Sequence, residues 1–174
     1  IDFDLLVDVK EKRRARLTEY AAEKATATYH EGSVWTYAEK YDIALPCATQ
    51  NEINGEAAKR LVAQGVICVS EGANMPSDLD AIKVYKENGI LYGPAKAANA
   101  GGVAVSALEM SQNSLRLSWT REEVDGRLKD IMTNIFNTAK TTSETYGLDK
   151  DYLAGANIAA FENVANAMIA QGIV

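Results

Sequence analysis

The sequence predicts an α/β fold, in which a parallel sheet carries helices on both faces. Short apolar runs over residues 41–47, 66–70 and 90–93 are typical of buried strands. The segments between them have helical spacing, and the chain after Arg116 has helical signals only. Strands that alternate with helices are joined by crossover connections, so we expect them to run parallel.

The chain opens with a charged segment that predicts a helix over residues 5–24, a short strand over 25–29 and a turn over 30–32. Five basic residues cluster on this helix: Lys10, Lys12, Arg13, Arg14 and Arg16. Such a cluster is typical of a solvated face, and the alternatives are a seat for a coenzyme phosphate or a contact with another subunit. Because the chain starts at Ile1 within charged, helix-like sequence, we expect it to be a piece of a longer protein.

Local signals place the remaining helices. Gly65 and Gly89 are positioned to end helices over residues 52–64 and 77–88, and Ser77 is positioned to cap the second. Thr120 begins a capping box with Glu123, which predicts a helix reaching about residue 144. Its apolar face consists of Val124, Leu128, Ile131 and Ile135. A last helix ends near Gly172, with an apolar face formed by Ile158, Phe161, Val164, Ala165, Met168 and Ile169.

Side-chain amides follow each of the three predicted strands: Gln50 and Asn51, then Asn74, then Asn99. In parallel sheets, ligands bind beyond the carboxyl ends of the strands. Amides both donate and accept hydrogen bonds, so they suit ribose hydroxyls or a carboxamide. A single loop amide is more often part of a turn. Turn chemistry and a shared ligand site therefore both stay open.

The segment over residues 96–113, KAANAGGVAVSALEMSQN, predicts a helix that leaves the third strand. Asn99, Val103 and Ser106 stand at i, i+4 and i+7, so a helix would align them on one stripe. A polar, apolar, polar stripe after a strand favours ligand binding over core packing. The alternatives are a core position for Val103 and close helix packing at Ser106.

Composition limits the function further. The net charge of −6 has no basic block within it, which argues against nucleic acid and anionic membranes as partners. No run approaches the ~20 apolar residues of a membrane span. Cys47 and Cys68 are expected to be buried, reduced thiols, and the single histidine, His30, to lie in a surface turn, so we expect no metal site. The chain also lacks the G-x-G-x-x-G, phosphate-loop, G-x-S-x-G and HExxH motifs.

Several long motifs closely resemble the hexameric glutamate dehydrogenases, from about Val34 to the last residue and more weakly before it. They are PCATQN at 46–51, EGANMP at 71–76, KAANAGGV at 96–103, SALEMSQN at 106–113, SWT at 118–120, GANIA at 155–159 and AMIAQG at 167–172. The resemblance implies a partial Rossmann-like coenzyme domain over residues 1–116. It also implies C-terminal helices over residues 117–174 that pack back toward a substrate domain outside this chain.

The resemblance implies a cytoplasmic, hexameric enzyme that interconverts L-glutamate with 2-oxoglutarate and ammonia. The form EGANMP is closer to the enzymes that use NADP than to those that use NAD. Ser106 then matches the residue that binds the distal carboxylate of glutamate, and Val103 matches one that lines the side-chain pocket. The coenzyme residues implied are Ala48, Thr49 and Gln50 along the coenzyme, Asn74 at the nicotinamide ribose, and Asn99 near the nicotinamide.

The family's catalytic lysine and aspartate, and its glycine fingerprint, match nothing in this sequence. We therefore expect no catalytic residue here, and no turnover by the 174 residues alone. An open sheet edge and uncovered apolar faces lead us to expect self-association or a partner. Two other functions stay open. A related dehydrogenase of apolar amino acids would carry an apolar residue at Ser106, and a nucleotide-binding or interaction module would have no turnover.

Overall fold

The computed structural model describes residues 1–37 and 40–172. These residues fall into two compact units, Ile1–Tyr37 and the remainder of the chain. The elements of the first unit are helix α1 (Phe3–Val7), a π-helical turn (Asp8–Lys12), helix α2 (Leu17–Glu23) and a 3-10 turn (Val34–Thr36).

The prediction of one helix over residues 5–24 is wrong, because the chain breaks between α1 and α2. Arg14 adopts a left-handed backbone conformation with φ of 53°, which a continuing helix cannot contain. The predicted strand over residues 25–29 is also wrong, since this segment forms a turn followed by irregular backbone. A strand needs a hydrogen-bonded neighbour, and the first unit offers it none among its described residues.

Surface ion pairs and hydrogen bonds engage part of the basic cluster of the first unit. Arg13 contacts Asp8, Glu19 and Glu23 at 3.0, 3.3 and 2.7 Å. Lys10 Nζ donates to Ala15 O at 3.0 Å. These contacts are exposed, so each contributes little stability. They favour the interpretation of the cluster as a solvated face.

The second unit contains a three-stranded parallel sheet, which confirms the predicted α/β fold. Strands β1 (Ile43–Ala44), β2 (Cys68–Ser70) and β3 (Leu91–Gly93) lie in the order β1-β2-β3. Ala44 lies opposite Val69, and Val69 lies opposite Tyr92. Helix α3 (Gly55–Ala63) connects the first two strands, and helix α4 (Leu79–Glu87) connects the last two.

The core of this unit lies between one face of the sheet and helices α3 and α4. Ala44, Val69 and Tyr92 point from the strands into this layer and are buried. The helices contribute six buried residues: Ala57, Ala58, Leu61, Ala81, Val84 and Tyr85. Full burial of a side chain such as Leu61 stabilises the fold by about 1.5–3 kcal/mol. The opposite face is open at Ile43 and Leu45, which are exposed.

The predicted helix ends are confirmed at Gly65 and Gly89, which have φ of 93° and 66°. The predicted cap of α4 is wrong by one residue. Asp78 accepts a hydrogen bond from Ala81 N at 2.7 Å and is the N-cap, while Ser77 is buried. Ser77 Oγ lies 3.2 Å from the Tyr85 hydroxyl, so a contact across the core engages it instead.

Four helices follow the sheet: α5 (Ala95–Ala98), α6 (Ala100–Leu115), α7 (Arg121–Thr145) and α8 (Tyr152–Gln171). The capping box at the start of α7 is confirmed, with both reciprocal bonds between Thr120 and Glu123 present. Helices α7 and α8 pack against each other, but most of the apolar face predicted for α8 is exposed, from Phe161 to Ile169. The domain boundary after residue 116 stays a prediction. None of the helices described is both long and apolar enough to cross a membrane.

Candidate functional site

Three loops meet at the carboxyl edge of the sheet. They cover residues 45–54 after β1, 71–78 after β2 and 94–99 after β3, the last of which includes the short helix α5. Pro46 O accepts hydrogen bonds from Gly72 N and Ala73 N, each at 3.0 Å. Asn99 Nδ2 donates to Ala73 O at 2.9 Å. The three loops are therefore joined into one surface at the edge where parallel sheets bind ligands.

Two neighbouring residues of this surface have unfavourable backbone conformations. Asn51 and Met75 have φ of 55° and 52°, and Asn51 N donates to Met75 O at 3.0 Å. Asparagine tolerates this conformation, whereas methionine does so at a cost of about 1–2 kcal/mol. Such local strain concentrates at ligand-binding and active sites. It therefore favours a functional role for this pair of loops.

Gly72 explains part of the EGANMP motif. A Cβ atom at this position would lie 2.5 Å from Cys47 Sγ, well inside contact distance. A larger residue here would require the Cys47 side chain to turn aside. Glycine thus suits the close approach of the loops after β1 and β2.

The first loop exposes the residues predicted to run along a coenzyme. Ala48, Thr49 and Gln50 are all exposed. Glu52 Oε1 accepts hydrogen bonds from Ala48 N and Thr49 N, at 2.9 and 3.2 Å, and so holds this turn in shape. Asn74 is exposed in the second loop. These predicted residues thus lie on two loops that contact each other, and their binding roles stay predictions.

The stripe of Asn99, Val103 and Ser106 is only partly helical. Asn99 lies between α5 and α6, so the helix that carries the other two residues begins at Ala100. Val103 is 77% exposed, so the alternative of a core position is wrong within this chain. Ser106 is also exposed and lies one turn beyond Val103 on the same side of α6. Both side chains are accessible to a ligand, while their substrate roles stay predictions.

Sequence reasoning missed one buried residue at this edge, Glu71, which is 2% exposed. Its Oε2 accepts hydrogen bonds from the Tyr92 hydroxyl at 2.7 Å and from Ala95 N at 2.9 Å. Its Oε1 accepts one from Ser77 N at 3.2 Å. An acidic residue directly after a buried strand was the available signal, since such a position faces inward at the end of the sheet.

The two tyrosines beside this carboxylate remain neutral over the physiological range. Burial raises the pKa of Tyr85 to about 12. Burial raises the pKa of Tyr92 further, and the hydrogen bond to the Glu71 carboxylate adds to the effect. Tyr92 is therefore a hydrogen-bond donor in this network and not a base.

The cysteine prediction is half wrong. Both cysteines are free, but Cys47 is exposed, because it leaves β1 at the open edge where no described helix covers it. Cys68 is half-buried, and burial raises the pKa of its thiol. His30 is exposed as predicted, with its ring centroid 4.4 Å from that of Tyr37. Across residues 1–37 and 40–172, no cluster of three or more metal-ligating side chains occurs.

Comparison with known proteins relates this chain to named enzymes. The NADP-specific glutamate dehydrogenase of Giardia intestinalis is 51% identical over 171 residues, and the glutamate dehydrogenase of Bacteroides thetaiotaomicron is 54% identical over 175. These matches cover 97% and 98% of the chain but 38% of each relative. The chain thus spans well under half the length of these relatives.

A solved structure agrees in fold. The crystal structure of Plasmodium falciparum glutamate dehydrogenase superposes with a TM-score of 0.88 at 47% identity, covering 98% of this chain and 37% of that one. The sequence model of the glutamate/leucine/phenylalanine/valine dehydrogenases matches residues 1–172, including the part before Val34 where the motifs are weak. The chain therefore belongs to the glutamate/leucine/phenylalanine/valine dehydrogenase family.

Proposed function

We propose that this chain is the coenzyme-binding and C-terminal part of an NADP-linked glutamate dehydrogenase, which interconverts L-glutamate with 2-oxoglutarate and ammonia. The observation that carries the proposal is the hydrogen bond of 2.9 Å between Asn99 Nδ2 and Ala73 O. This bond ties the start of α6, which bears Val103 and Ser106, to the loop that bears Asn74. Candidate coenzyme and substrate groups are thereby adjacent.

The side-chain amides of Asn99, which is half-buried, and Asn74, which is exposed, suit a nicotinamide riboside. Since Asn99 Nδ2 donates to Ala73, its Oδ1 is left to accept a hydrogen bond from a carboxamide or a ribose hydroxyl. Asn74, on the adjoining loop, is exposed to a second ribose hydroxyl. Ala48, Thr49 and Gln50 line the neighbouring loop. The nicotinamide coenzyme, when bound, supplies or accepts the hydride, and these residues orient it.

On α6, Val103 and Ser106 would define glutamate by shape and by one hydrogen bond. The Ser106 hydroxyl is exposed and can donate to the distal carboxylate, a charge-assisted bond stronger than a neutral one. Enzymes of this family that act on leucine, phenylalanine or valine face an apolar side chain, for which a hydroxyl offers no partner. A serine at this position therefore favours glutamate over those substrates.

Assembly and coenzyme choice complete the proposal. The relatives' names favour NADP, and the full-length protein would be a cytoplasmic hexamer. Residues 1–116 would belong to its coenzyme domain, and residues 117–174 would return toward its substrate domain. The exposed apolar face of α8 is consistent with such a return. The groups that transfer protons would lie on polypeptide outside this chain.

The test is Ser106→Ala in the full-length protein, with Ser111→Ala as the matched control. Ser111 lies on the same helix, but its hydroxyl donates to Ala107 O at 2.9 Å and faces no ligand in this proposal. Loss of the Ser106 hydroxyl should weaken glutamate binding by about 1–3 kcal/mol, because the carboxylate is left underpaired. The KM for NADPH should stay unchanged in both variants.

Steady-state kinetics with glutamate, leucine and phenylalanine, each with NADP and with NAD, would measure the KM values of the wild type and both variants. Unchanged glutamate KM in Ser106→Ala would contradict the substrate assignment. Turnover of leucine or phenylalanine in preference to glutamate would show instead that the protein is a dehydrogenase of apolar amino acids.

A further inference from the structure

Glu71 is a buried carboxylate to which the proposed function gives no role. Its partners in the described part of the chain are all uncharged: one tyrosine hydroxyl and two backbone N–H groups. Burying a carboxylate without a cation is unfavourable unless hydrogen bonds satisfy it. Three donors satisfy the carboxylate here.

One donor is the Tyr92 hydroxyl on β3, and the other two come from separate loops of the candidate site. The bond from Ser77 N at 3.2 Å closes the loop over residues 71–77, at whose centre Asn74 stands. The bond from Ala95 N at 2.9 Å holds the first residue of α5, four positions before Asn99. One side chain therefore fixes both segments that carry the candidate coenzyme amides.

A second contact joins the same two segments directly. Asn99 Nδ2 donates to Ala73 O at 2.9 Å, which lies within the loop that Glu71 closes. The backbone of Glu71 adds a bond from its N–H to Gly93 O at 3.0 Å. A displacement of the carboxylate would move the loop and the start of α5 relative to each other, and Asn99 would lose its orientation.

Resting on the proposed function, we propose that Glu71 is a positioning residue for the coenzyme. It holds the loop after β2 and the loop after β3 in the relative placement with which Asn74 and Asn99 bind the nicotinamide riboside. It touches neither the coenzyme nor the substrate. A glutamate side chain suits this place because all three bonds need an acceptor, and both of its oxygens are used.

The experiment compares three variants of the full-length protein. Glu71→Gln keeps the shape but places an NH₂ group against a donor, so at least one of the three bonds is lost. Tyr92→Phe removes one donor and leaves the carboxylate in place. Tyr85→Phe is the matched control, because its hydroxyl is equally buried but contacts Ser77 Oγ and not the carboxylate.

We expect Glu71→Gln to raise the KM and the Kd for NADPH by about tenfold or more, because a charge-assisted hydrogen bond is broken. The KM for glutamate at saturating NADPH should stay close to that of the wild type. Tyr92→Phe should raise the NADPH constants by a smaller factor, and Tyr85→Phe should leave them unchanged. A role in stability alone would instead lower the melting temperature and leave the NADPH constants of the folded fraction unaltered.

The positioning role is overturned if Glu71→Gln binds NADPH within about twofold of the wild type, a change too small for a lost bond to a charged group. It is also overturned if Tyr85→Phe and Tyr92→Phe change NADPH binding equally. If Glu71→Gln fails to fold, the NADPH constants of Tyr92→Phe and Tyr85→Phe test the positioning role instead. The role is supported if only Tyr92→Phe weakens NADPH binding. Fluorescence titration of the wild type with NADPH and with NADH separates the two proposals. If the wild type binds neither coenzyme, the proposed function is refuted. If the wild type binds NADPH tightly and Glu71→Gln binds it equally well, only the positioning role is refuted.

Discussion

Replacement of Gly155 by alanine tests how closely α7 and α8 pack. Gly155 is buried in the first turn of α8. A Cβ atom there would lie 2.1 Å from Ala139 O and 3.1 Å from Ser143 Cβ, both on α7. The atom that it meets first is a backbone oxygen inside a long helix, which cannot turn aside as a side chain can.

The magnitude follows from these distances. Ordinary contact begins at 3.4 Å, so the two helices would have to separate by roughly 1 Å. Overpacking of this kind costs about 1–3 kcal/mol. Alanine is itself favoured over glycine in a helix by up to about 1 kcal/mol, which offsets part of the cost. Gly155→Ala should therefore lower the free energy of unfolding in spite of its better helix propensity.

Gly126 supplies the matched control, because it lies within α7 and a Cβ there meets nothing within 4 Å. Gly126→Ala should leave the melting temperature of the full-length protein unchanged or raise it, while Gly155→Ala should lower it. A shift of about 2–4 °C per kcal/mol makes the difference measurable by scanning calorimetry. Equal melting temperatures for the two variants would refute the close packing at Gly155.

Three further outcomes follow from the contacts described. Thr120→Ala should destabilise the protein by about 1 kcal/mol in urea denaturation, because the bond from Glu123 N to the Thr120 hydroxyl is lost. The raised pKa of Tyr85 stabilises the fold fully below pH 10.0, and this contribution should disappear as pH rises through about 12; Tyr85→Phe should weaken the alkaline loss of stability. Burial acts to raise the pKa of Asp151, but the bond of 2.8 Å from Lys86 and the N-cap bond from Ala154 N outweigh it, so the net pKa is lowered. Stability from this pair is present above the ordinary pKa of about 3.9 and lost as pH falls below it, so Lys86→Met should flatten the acid limb of stability against pH.

Local rules predicted the parts of the fold that local interactions determine. Gly65 and Gly89 end their helices, and Thr120 begins one, because each acts on backbone groups within a few residues. The same rules misassigned the cap of α4, where Ser77 and Asp78 are both good caps. The choice between them depends on Tyr85, which engages Ser77 from eight residues away.

In the candidate site, too, local features could be predicted from the sequence and long-range contacts could not. Motifs and strand ends pointed to the loops that bear Asn74 and Asn99, since polar residues after buried strands are visible in sequence. They could not show how the loops are joined, because the Glu71 bonds reach residues 21 and 24 positions away. The break at Arg14 also carried no signal, as neither proline nor glycine marks it.

Three carboxylates on the loops after β1 and β2 bear on what this part of the protein contributes. Glu52 accepts hydrogen bonds from Ala48 N and Thr49 N, Glu71 accepts its three, and Asp78 accepts the N-cap bond from Ala81 N. The oxygens of these carboxylates are thus engaged by backbone N–H groups of the chain itself. These groups therefore shape the loops rather than move protons. This supports the proposal that the chain orients coenzyme and substrate, while acid–base chemistry is supplied from elsewhere in the full-length enzyme.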